Sequence, residues 1–205
     1  MSSRQNPDQL LKAIQDEEVN QNKGHLKIFF GYCAGVGKTY AMLEAAHIAK
    51  QQGIDVVAGY IEPHERPKTA ALLNGLEVIP TKEVTYNGMI LHEFDIDAAL
   101  QRSPELILVD ELAHTNAEGC RHAKRYQDIK ELLRAGIDVY TTVNVQHIES
   151  LCDVVASITE VVVRERIPDS IFDHADQVEL IDIEPQDLIE RLSMGNVYRE
   201  NQAKQ

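Results

Sequence analysis

Cysteine is scarce in this chain: only Cys33, Cys120 and Cys152 occur among 205 residues, and tryptophan is absent. Three is an odd number, and no two of these cysteines have the C-x-x-C spacing. Both facts argue against a disulfide framework and against a zinc site built from cysteine pairs. We therefore expect the chain to reside in a reducing compartment, the cytosol.

Long apolar runs and a surplus of basic residues are also missing. No apolar run approaches the roughly 20 residues that cross a bilayer, and the polar N-terminus does not resemble a secretion signal. Direct membrane insertion is therefore not expected. The 33 acidic and 20 basic residues give a net charge of −13, which repels a nucleic-acid backbone and disfavours a DNA or RNA partner. The basic cluster at residues 121–125 is expected to be a solvated helix face.

A glycine-rich segment, residues 31–39, is the most informative feature that is present. The apolar run before it, residues 26–30, predicts a strand, and residues 40–50 repeat apolar side chains at helical spacing. Strand, glycine-rich turn and helix occur in the order that a phosphate-binding loop requires. The alternative is a strand-to-helix turn that binds nothing.

Each residue type in this segment has a physical role in binding phosphate. Glycines let backbone N–H groups converge on phosphate oxygens at a helix N-terminus, a lysine pairs with the β and γ phosphates, and a hydroxyl binds Mg²⁺. The strict pattern G-x-x-x-x-G-K-[ST] places its first glycine at Tyr32, one position after Gly31. The predicted cofactor-binding residues here are Gly31, Gly35, Val36, Gly37, Lys38, Thr39 and Tyr40.

A second group of candidate residues follows a continuously apolar strand, residues 105–110, that ends in Asp110-Glu111. In nucleoside triphosphatases, an aspartate in this position holds magnesium, through water or together with the loop hydroxyl, and a neighbouring acid polarises an attacking water. We therefore predict Asp110 and Thr39 as metal ligands and Glu111 as the catalytic base. The alternative is a helix N-cap or a surface acid.

A third group lies at the end of the next predicted strand, where residues 141–147 carry several polar side chains. Ligands in open α/β sheets bind at the carboxyl edge, so Thr142 or Asn144 is predicted to reach the γ-phosphate or a lytic water. Helix capping by either residue is an equally weighted alternative. His114 begins a predicted switch loop, while His122 and His147 lie on separate segments without a zinc-ligand pattern.

The element pattern predicts a three-layer α/β fold of the P-loop NTPase type, with a mainly parallel sheet flanked by helices. The dipeptide Asn87-Gly88 predicts a small antiparallel hairpin inserted into it. Residues 1–24, with a short helix at 7–16, form an N-terminal arm. Residues 25–198 form the nucleotide-binding domain, and residues 199–205 begin a connecting segment.

These segments together resemble the N-terminal cytoplasmic domain of the KdpD family of potassium-responsive sensor histidine kinases. The matching stretches are residues 29–43, 109–116, 135–147 and 195–198, with Arg121, His122, Arg125, Gln127 and Asp128. The family's first loop glycine corresponds to Gly31, which accounts for the irregular motif.

The resemblance implies a regulatory domain that binds ATP and Mg²⁺ and biases the kinase-to-phosphatase balance of the sensor toward its response regulator, KdpE. It also implies further partners in the same protein: a stress-protein-like domain, transmembrane helices and kinase modules. The domain would lie on the cytoplasmic side of the membrane and would be at most a weak ATPase.

Two alternatives remain open from the residues themselves. One is a free-standing P-loop ATPase or a phosphotransferase acting on a small molecule, for which residues 119–125 are the one place for a cationic lid. The other is a docking module whose phosphate loop is vestigial.

Overall fold

The computed structural model describes residues 23–62, 67–86 and 88–193. Several predictions lie outside the described residues: the helix at residues 7–16 with nearly all of the N-terminal arm, the turn residue Asn87, the family match at residues 195–198, and the connecting segment 199–205. The predicted domain limits therefore stay a prediction.

The described chain alternates strands and helices for most of its length. The strands are β1 (Leu26–Gly31), β2 (Val56–Tyr60), β3 (Glu77–Val78), β4 (Lys82–Tyr86), β5 (Met89–Glu93), β6 (Leu106–Val109), β7 (Asp138–Asn144) and β8 (Gln177–Leu180). The helices are α1 (Lys38–Gln51), α2 (Pro67–Leu72), α3 (Ile96–Arg102), α4 (Arg125–Arg134), α5 (Cys152–Thr159), α6 (Asp169–Asp173) and α7 (Pro185–Ser193). Two short 3₁₀ turns, Val145–His147 and Glu149–Leu151, precede α5.

Six strands form one sheet in the order β3-β2-β6-β7-β1-β8, and all neighbouring pairs are parallel. Strands β2 and β6 are buried along their whole length, as expected for a parallel sheet covered on both faces. Strand β7 lies between β1 and β6. The ends of β1, β6 and β7 therefore meet at one edge, and the α/β prediction is confirmed.

The core has two parts, one on each face of the sheet. Successive residues of a strand point to opposite faces, so Ile28 contributes to one apolar cluster and Phe29 to the other. Helices α3 and α4 cover the first face, and α1 covers the second through Met42, Leu43 and Ala46. Helix, sheet and helix make three layers.

The predicted hairpin is confirmed as a separate two-stranded antiparallel sheet, β4 paired with β5. Within the hairpin, Val84 of β4 is buried, and Phe94, the residue after β5, belongs to the core. Tyr86, Met89 and Ile90 are exposed near the turn. The hairpin is thus anchored at its base, while its far end faces solvent.

Element boundaries near the C-terminal half differ from the predicted ones. The helix predicted at residues 148–155 starts only at Cys152, because Ile148 is extended and forms a parallel bridge with Ile167. Strand β8 ends at Leu180, short of the predicted residue 183. These changes leave the edge of the sheet at β1, β6 and β7 as expected.

Leu151, helix α5 and the segment after it carry a surface that we call the apolar ridge. Its members are exposed aliphatic side chains: Leu151, Val154, Ile158, Val161 and Val162. Among the residues that the structure describes, none of the helices is both long enough and apolar enough to traverse a bilayer.

Candidate functional site

The phosphate loop connects β1 to α1 through two glycines with left-handed backbone angles. Gly35 has φ 89° and Gly37 has φ 109°, values that residues with a side chain adopt only at a cost in strain. Gly31 is required for a different reason, because an added Cβ would lie 2.7 Å from Cγ2 of Val36. The loop therefore needs glycine at Gly31 for space and at the other two positions for conformation.

Helix α1 begins at Lys38, directly after this turn, and has no acidic residue in its first turn. Its N-terminal N–H groups and partial positive charge therefore face the loop without a compensating carboxylate there. The Lys38 ammonium folds back over the loop and donates to the main-chain oxygen of Cys33 at 2.9 Å. Backbone and lysine together form a cradle of the kind that binds anions in other proteins.

Asp110 directly follows β6. Its carboxylate is hydrogen-bonded to the start of α1 and to β7, the strand that lies between β1 and β6. Thr39 Oγ1 donates to Asp110 Oδ2 at 3.0 Å, and the Thr142 hydroxyl of β7 donates to Asp110 Oδ1. Asp110 is almost completely buried. A carboxylate and a hydroxyl in contact are hard oxygen ligands of the kind that Mg²⁺ takes.

Glu111 lies next to this pair in a left-handed conformation, with φ 59°. Its N–H lies 3.2 Å from Thr142 Oγ1 and 3.2 Å from Asp110 Oδ1, which fixes the turn. Partial burial, followed by the charges of Glu62 and Asp110, raises the pKa of Glu111 to about 7, while 42% of its side-chain surface stays exposed. A carboxylate with a pKa near neutrality is suited to accept a proton from water.

The three predicted segments line one pocket of about 210 Å³. Its lining residues are Ala34, Gly35, Gly37, Lys38, Thr39, Asp110, Glu111, Ala113, His114, Thr142, Val143, Asn144, His147 and Glu165. Eight of the predicted cofactor-binding or catalytic residues are among them. Gly31, Val36 and Tyr40 do not line it: the first two lie under the loop, and Tyr40 faces outward, so their role in binding stays a prediction.

One polar atom of the pocket lining is buried without a hydrogen-bond partner, Oδ1 of Asn144. Buried acceptors are rarely left unpaired, and Asn144 is itself a lining residue, so its amide oxygen is available to a ligand. The glycine cradle and the Thr39–Asp110 pair fit a magnesium-bound phosphate group, whereas the Asn144 amide oxygen, an acceptor, fits a water molecule beside it.

Glu165 is a lining residue that no pattern in the sequence identified. It lies in the irregular segment after α5, where it accepts a hydrogen bond from the N–H of Thr115 at 2.7 Å. His147 is held nearby by the main-chain oxygen of Glu165, 2.8 Å from its Nδ1. His114 and His147 thus meet at the pocket although they are 33 positions apart, whereas His122 pairs with Asp128.

Arg125 corrects the expectation of a solvated basic cluster. It is fully buried, with its guanidinium carbon 4.0 Å from the ring centre of Tyr60. Nη2 donates to Glu93 at 3.1 Å and Nη1 to the main-chain oxygen of Asp110 at 3.3 Å. The prediction was wrong for this residue because charge spacing along the chain does not reveal a buried carboxylate on another element.

Comparisons with known proteins identify a family model and several proteins to which this chain is similar. The family model of KdpD, the osmosensitive K⁺ channel His kinase sensor domain, matches residues 22–205. The sensor protein KdpD of Clostridium acetobutylicum is 63% identical over 98% of this chain, and that of Escherichia coli K12 is 56% identical over the same share. The chain spans 22% of the length of each.

Two further similarities are more distant. The putative sensor protein KdpD of Synechocystis is 51% identical over 89% of this chain, which corresponds to 50% of that protein. Among solved structures, AMPPCP-bound DnaA from Aquifex aeolicus aligns with the whole chain and 56% of its own, at 14% identity and a TM-score of 0.40. That structural likeness is too low to bear on the site.

Proposed function

The chain belongs to the KdpD family of osmosensitive K⁺ channel His kinase sensor domains, and from this premise we propose that it binds Mg-ATP as a regulatory ligand. The observation that carries the proposal is the hydrogen-bonded row Thr39–Asp110–Thr142. It joins the loop, β6 and β7 at the carboxyl edge of a parallel sheet, where ligands of such sheets bind.

Within the proposed site each residue has a distinct task. The N–H groups after Gly35 and Gly37 cradle phosphate oxygens, and Lys38 moves its ammonium from the Cys33 carbonyl to the β and γ phosphates. Thr39 and Asp110 would hold Mg²⁺, which supplies positive charge between phosphates. The buried amide oxygen of Asn144 would accept a hydrogen bond from the attacking water.

Glu111 gives the site a limited capacity for hydrolysis. Its pKa near 7 leaves a substantial fraction ionised at neutral pH, ready to take a proton from water in the pocket. Its partly exposed side chain does not exclude bulk water, so we propose slow turnover, in keeping with a bound nucleotide used as a signal.

The output would be passed to the rest of a longer sensor. Because the chain spans 22% of its first relatives, the kinase activity, the other domains and the response regulator KdpE belong to this proposal as partners of the whole protein. The domain would act on the cytoplasmic side of a membrane. Nucleotide binding would bias the kinase-to-phosphatase balance.

Calorimetric titration of ATP and ADP, with and without Mg²⁺, tests the binding proposal. Lys38→Ala is expected to weaken ATP binding by roughly 100-fold, the equivalent of one charge-assisted contact of about 1.5–3 kcal/mol. Lys50→Ala is the matched control, since Lys50 lies at the opposite end of the same helix and donates to Gly75. Equal ATP affinity in Lys38→Ala and the parent would refute nucleotide binding at this loop.

A free-standing ATPase is the alternative that the position of Glu111 favours, since its carboxylate lines the pocket beside Asp110, where it can accept a proton from water. Steady hydrolysis that is lost in Glu111→Gln, with ATP binding retained, would support it over a passive regulator. The phosphotransferase alternative has less support, because Arg121 pairs with Asp97 and Lys124 with Thr115 instead of forming an open cationic lid.

A further inference from the structure

Glu93 is a buried carboxylate outside the pocket and outside the main sheet. It is the last residue of β5, in the hairpin, and is 5% exposed. It accepts hydrogen bonds from three groups of other segments: the N–H of Ala117 at 2.9 Å, Arg125 Nη2 at 3.1 Å, and His114 Nε2 at 3.1 Å from one oxygen and 3.2 Å from the other. All three donors belong to the stretch from His114 to Arg125.

The donor His114 lies in the wall of the pocket. While Nε2 is bound to Glu93, Nδ1 lies 3.9 Å from Glu111 Oε2 and 4.0 Å from Glu165 Oε1. The imidazole is therefore held between a carboxylate of the hairpin and two carboxylates of the pocket. A shift of the pocket carboxylates would therefore move His114 and, through it, Glu93.

The donor Arg125 provides a second connection from Glu93 to the pocket. Its other nitrogen, Nη1, donates to the main-chain oxygen of Asp110, the predicted Mg²⁺ ligand. The stack on Tyr60 fixes the plane of the guanidinium. Glu93 is thus connected to the site twice. It contacts His114 directly, and Arg125 links it to the main-chain oxygen of Asp110.

The loop between these two donors also packs against the hairpin. A Cβ added at Gly119 would lie 3.7 Å from Cγ1 of Val84, so the loop backbone passes close to the buried side of β4. The loop is closed on itself by the bridge between Thr115 and Lys124. Hairpin and loop therefore approach one another at Val84 and at Glu93, and Glu93 makes the polar contact.

We propose that Glu93 is a positioning residue that couples the β4–β5 hairpin to the nucleotide site. The inference rests on the proposed function and deepens it, because it names the element that responds to the bound nucleotide. Glu93 sets where His114 lies against Glu111 and where Arg125 holds Asp110. A nucleotide that rearranges those residues then changes the exposed end of the hairpin, which is free to contact another part of a larger sensor.

The absence of tryptophan allows a direct test. Met89 lies at the start of β5 and is 60% exposed, so Met89→Trp places a single fluorescent reporter at the hairpin end without entering the core. Tryptophan emission is recorded at saturating Mg-ATP, at saturating Mg-ADP and without nucleotide. Binding itself is followed separately by calorimetry, so each variant is compared at its own saturation.

Glu93→Gln in the Met89→Trp background is expected to lose the nucleotide-dependent emission shift, because Gln cannot hold His114 and Arg125 by charge. Glu83→Gln is the matched control: Glu83 is an exposed carboxylate on the same hairpin, and its variant is expected to keep the shift. A purely structural role for Glu93 would lower the melting temperature but leave the shift at saturation unchanged.

The outcomes separate this inference from the proposed function. Full retention of the shift in a folded Glu93→Gln variant overturns the coupling, and so does calorimetric binding without any emission change in Met89→Trp alone. If circular dichroism finds Glu93→Gln unfolded, His114→Gln, which breaks only one of the two connections, decides by the same criterion. No calorimetric binding to the parent chain would instead remove the proposed function and the coupling with it.

Discussion

The two sides of the pocket are built in opposite ways. One side, which we call the phosphate wall, is formed by a single stretch, residues 34–39, whose shape comes from glycine backbone angles. The other side, the acidic wall, consists of Asp110, Glu111, His114 and Thr142 with the buried pair behind them, Glu93 and Arg125. Local geometry makes the first wall, and contacts between distant segments make the second.

This difference implies different consequences of mutation. The phosphate-wall side chains that line the pocket, Lys38 and Thr39, would contact the proposed ligand, so the loss of either is expected to change binding more than folding. A side chain of the acidic wall also satisfies buried partners, so its loss leaves those partners unpaired and destabilises the fold. Each expected result below would either sharpen this contrast or break it.

Arg125→Ala is expected to have the largest effect on folding, lowering the free energy of unfolding by about 3–5 kcal/mol. The substitution leaves the buried Glu93 carboxylate without its cation, and removing one partner of a buried pair costs this much. Urea denaturation followed by circular dichroism measures it. Arg121→Ala, which removes an exposed arginine paired with Asp97 and Glu131, is the control and should cost less than about 1 kcal/mol.

The double variant Arg125→Ala with Glu93→Gln tests whether the cost of Arg125→Ala comes from the unpaired carboxylate of Glu93. Once the carboxylate is neutral, the arginine deletion should cost less than it does in the parent, because contacting residues are not additive. If Arg125→Ala weakened ATP binding yet left the unfolding free energy unchanged, the acidic wall would behave like the phosphate wall and the contrast would fail.

The next largest effect is expected in how the free energy of unfolding of the parent and of Glu93→Gln depends on pH. Burial alone would raise the pKa of Glu93, but hydrogen bonds from His114 and Ala117 and the charge of Arg125 hold that pKa below its ordinary value of 4.5. A depressed pKa in the folded state gives stability that is present above pH 4.5 and lost as the pH falls through the folded value. Parent and Glu93→Gln should therefore differ by about 1.5–3 kcal/mol near neutral pH and converge in acid.

Denaturation of both proteins at several pH values between neutrality and pH 3 measures this convergence. Besides its hydrogen-bond donors, Glu93 faces Cys120, whose thiol pKa is raised mainly by burial and then by Glu93, so experiments should stay below the range in which thiols ionise. Glu83→Gln serves as the control, with little difference from the parent at any pH. A gap that stayed constant down to pH 3 would contradict a titrating Glu93.

Thr39→Val should have a smaller effect, and we expect it in Mg²⁺-dependent ATP binding. We expect Mg²⁺ to strengthen ATP binding about ten-fold less in this variant than in the parent, which corresponds to about 1.4 kcal/mol. The hydroxyl that pairs with Asp110 is lost while the shape of the side chain is kept. Thr39→Ser, which keeps the hydroxyl, should retain the Mg²⁺ effect, and an equal loss in both variants would argue against a metal ligand.

The smallest effect is expected far from both walls. Arg102 of α3 binds Asp55 and Glu77 at distances of 2.8 and 2.9 Å, but all three side chains are at least one-third exposed. Arg102→Ala should cost less than about 1 kcal/mol in urea denaturation and leave ATP affinity unchanged, since exposed ion pairs contribute little. A cost comparable to that of Arg125→Ala would mean that burial does not set the difference.

The phosphate wall was predictable because its chemistry is local. Residues within nine positions specify the turn, the lysine and the hydroxyl, so Gly35, Gly37, Lys38 and Thr39 were found from the sequence and lie at the pocket. Asp110 was predictable because an apolar strand ending in a carboxylate is also a local pattern, and the strand order placed it beside Thr39.

Glu93, Arg125 and Glu165 could not be found in this way. Each acts through residues at least 15 positions away, and each lies in a segment whose own pattern points elsewhere: a hairpin, a basic cluster and an irregular stretch. The start of α5 at Cys152 was missed for the same reason, because the bridge between Ile148 and Ile167 competes with the helix. Only the packed fold brings such partners together.

The apolar ridge on α5 has a consequence for handling the protein. Five exposed aliphatic side chains favour association between copies, and at neutral pH the net charge of −13 opposes it by mutual repulsion. As the pH falls and carboxylates are protonated, that repulsion vanishes while the aliphatic surface remains. Light scattering during acid titration should therefore rise before the fold is lost, and Ile158→Lys should delay that rise.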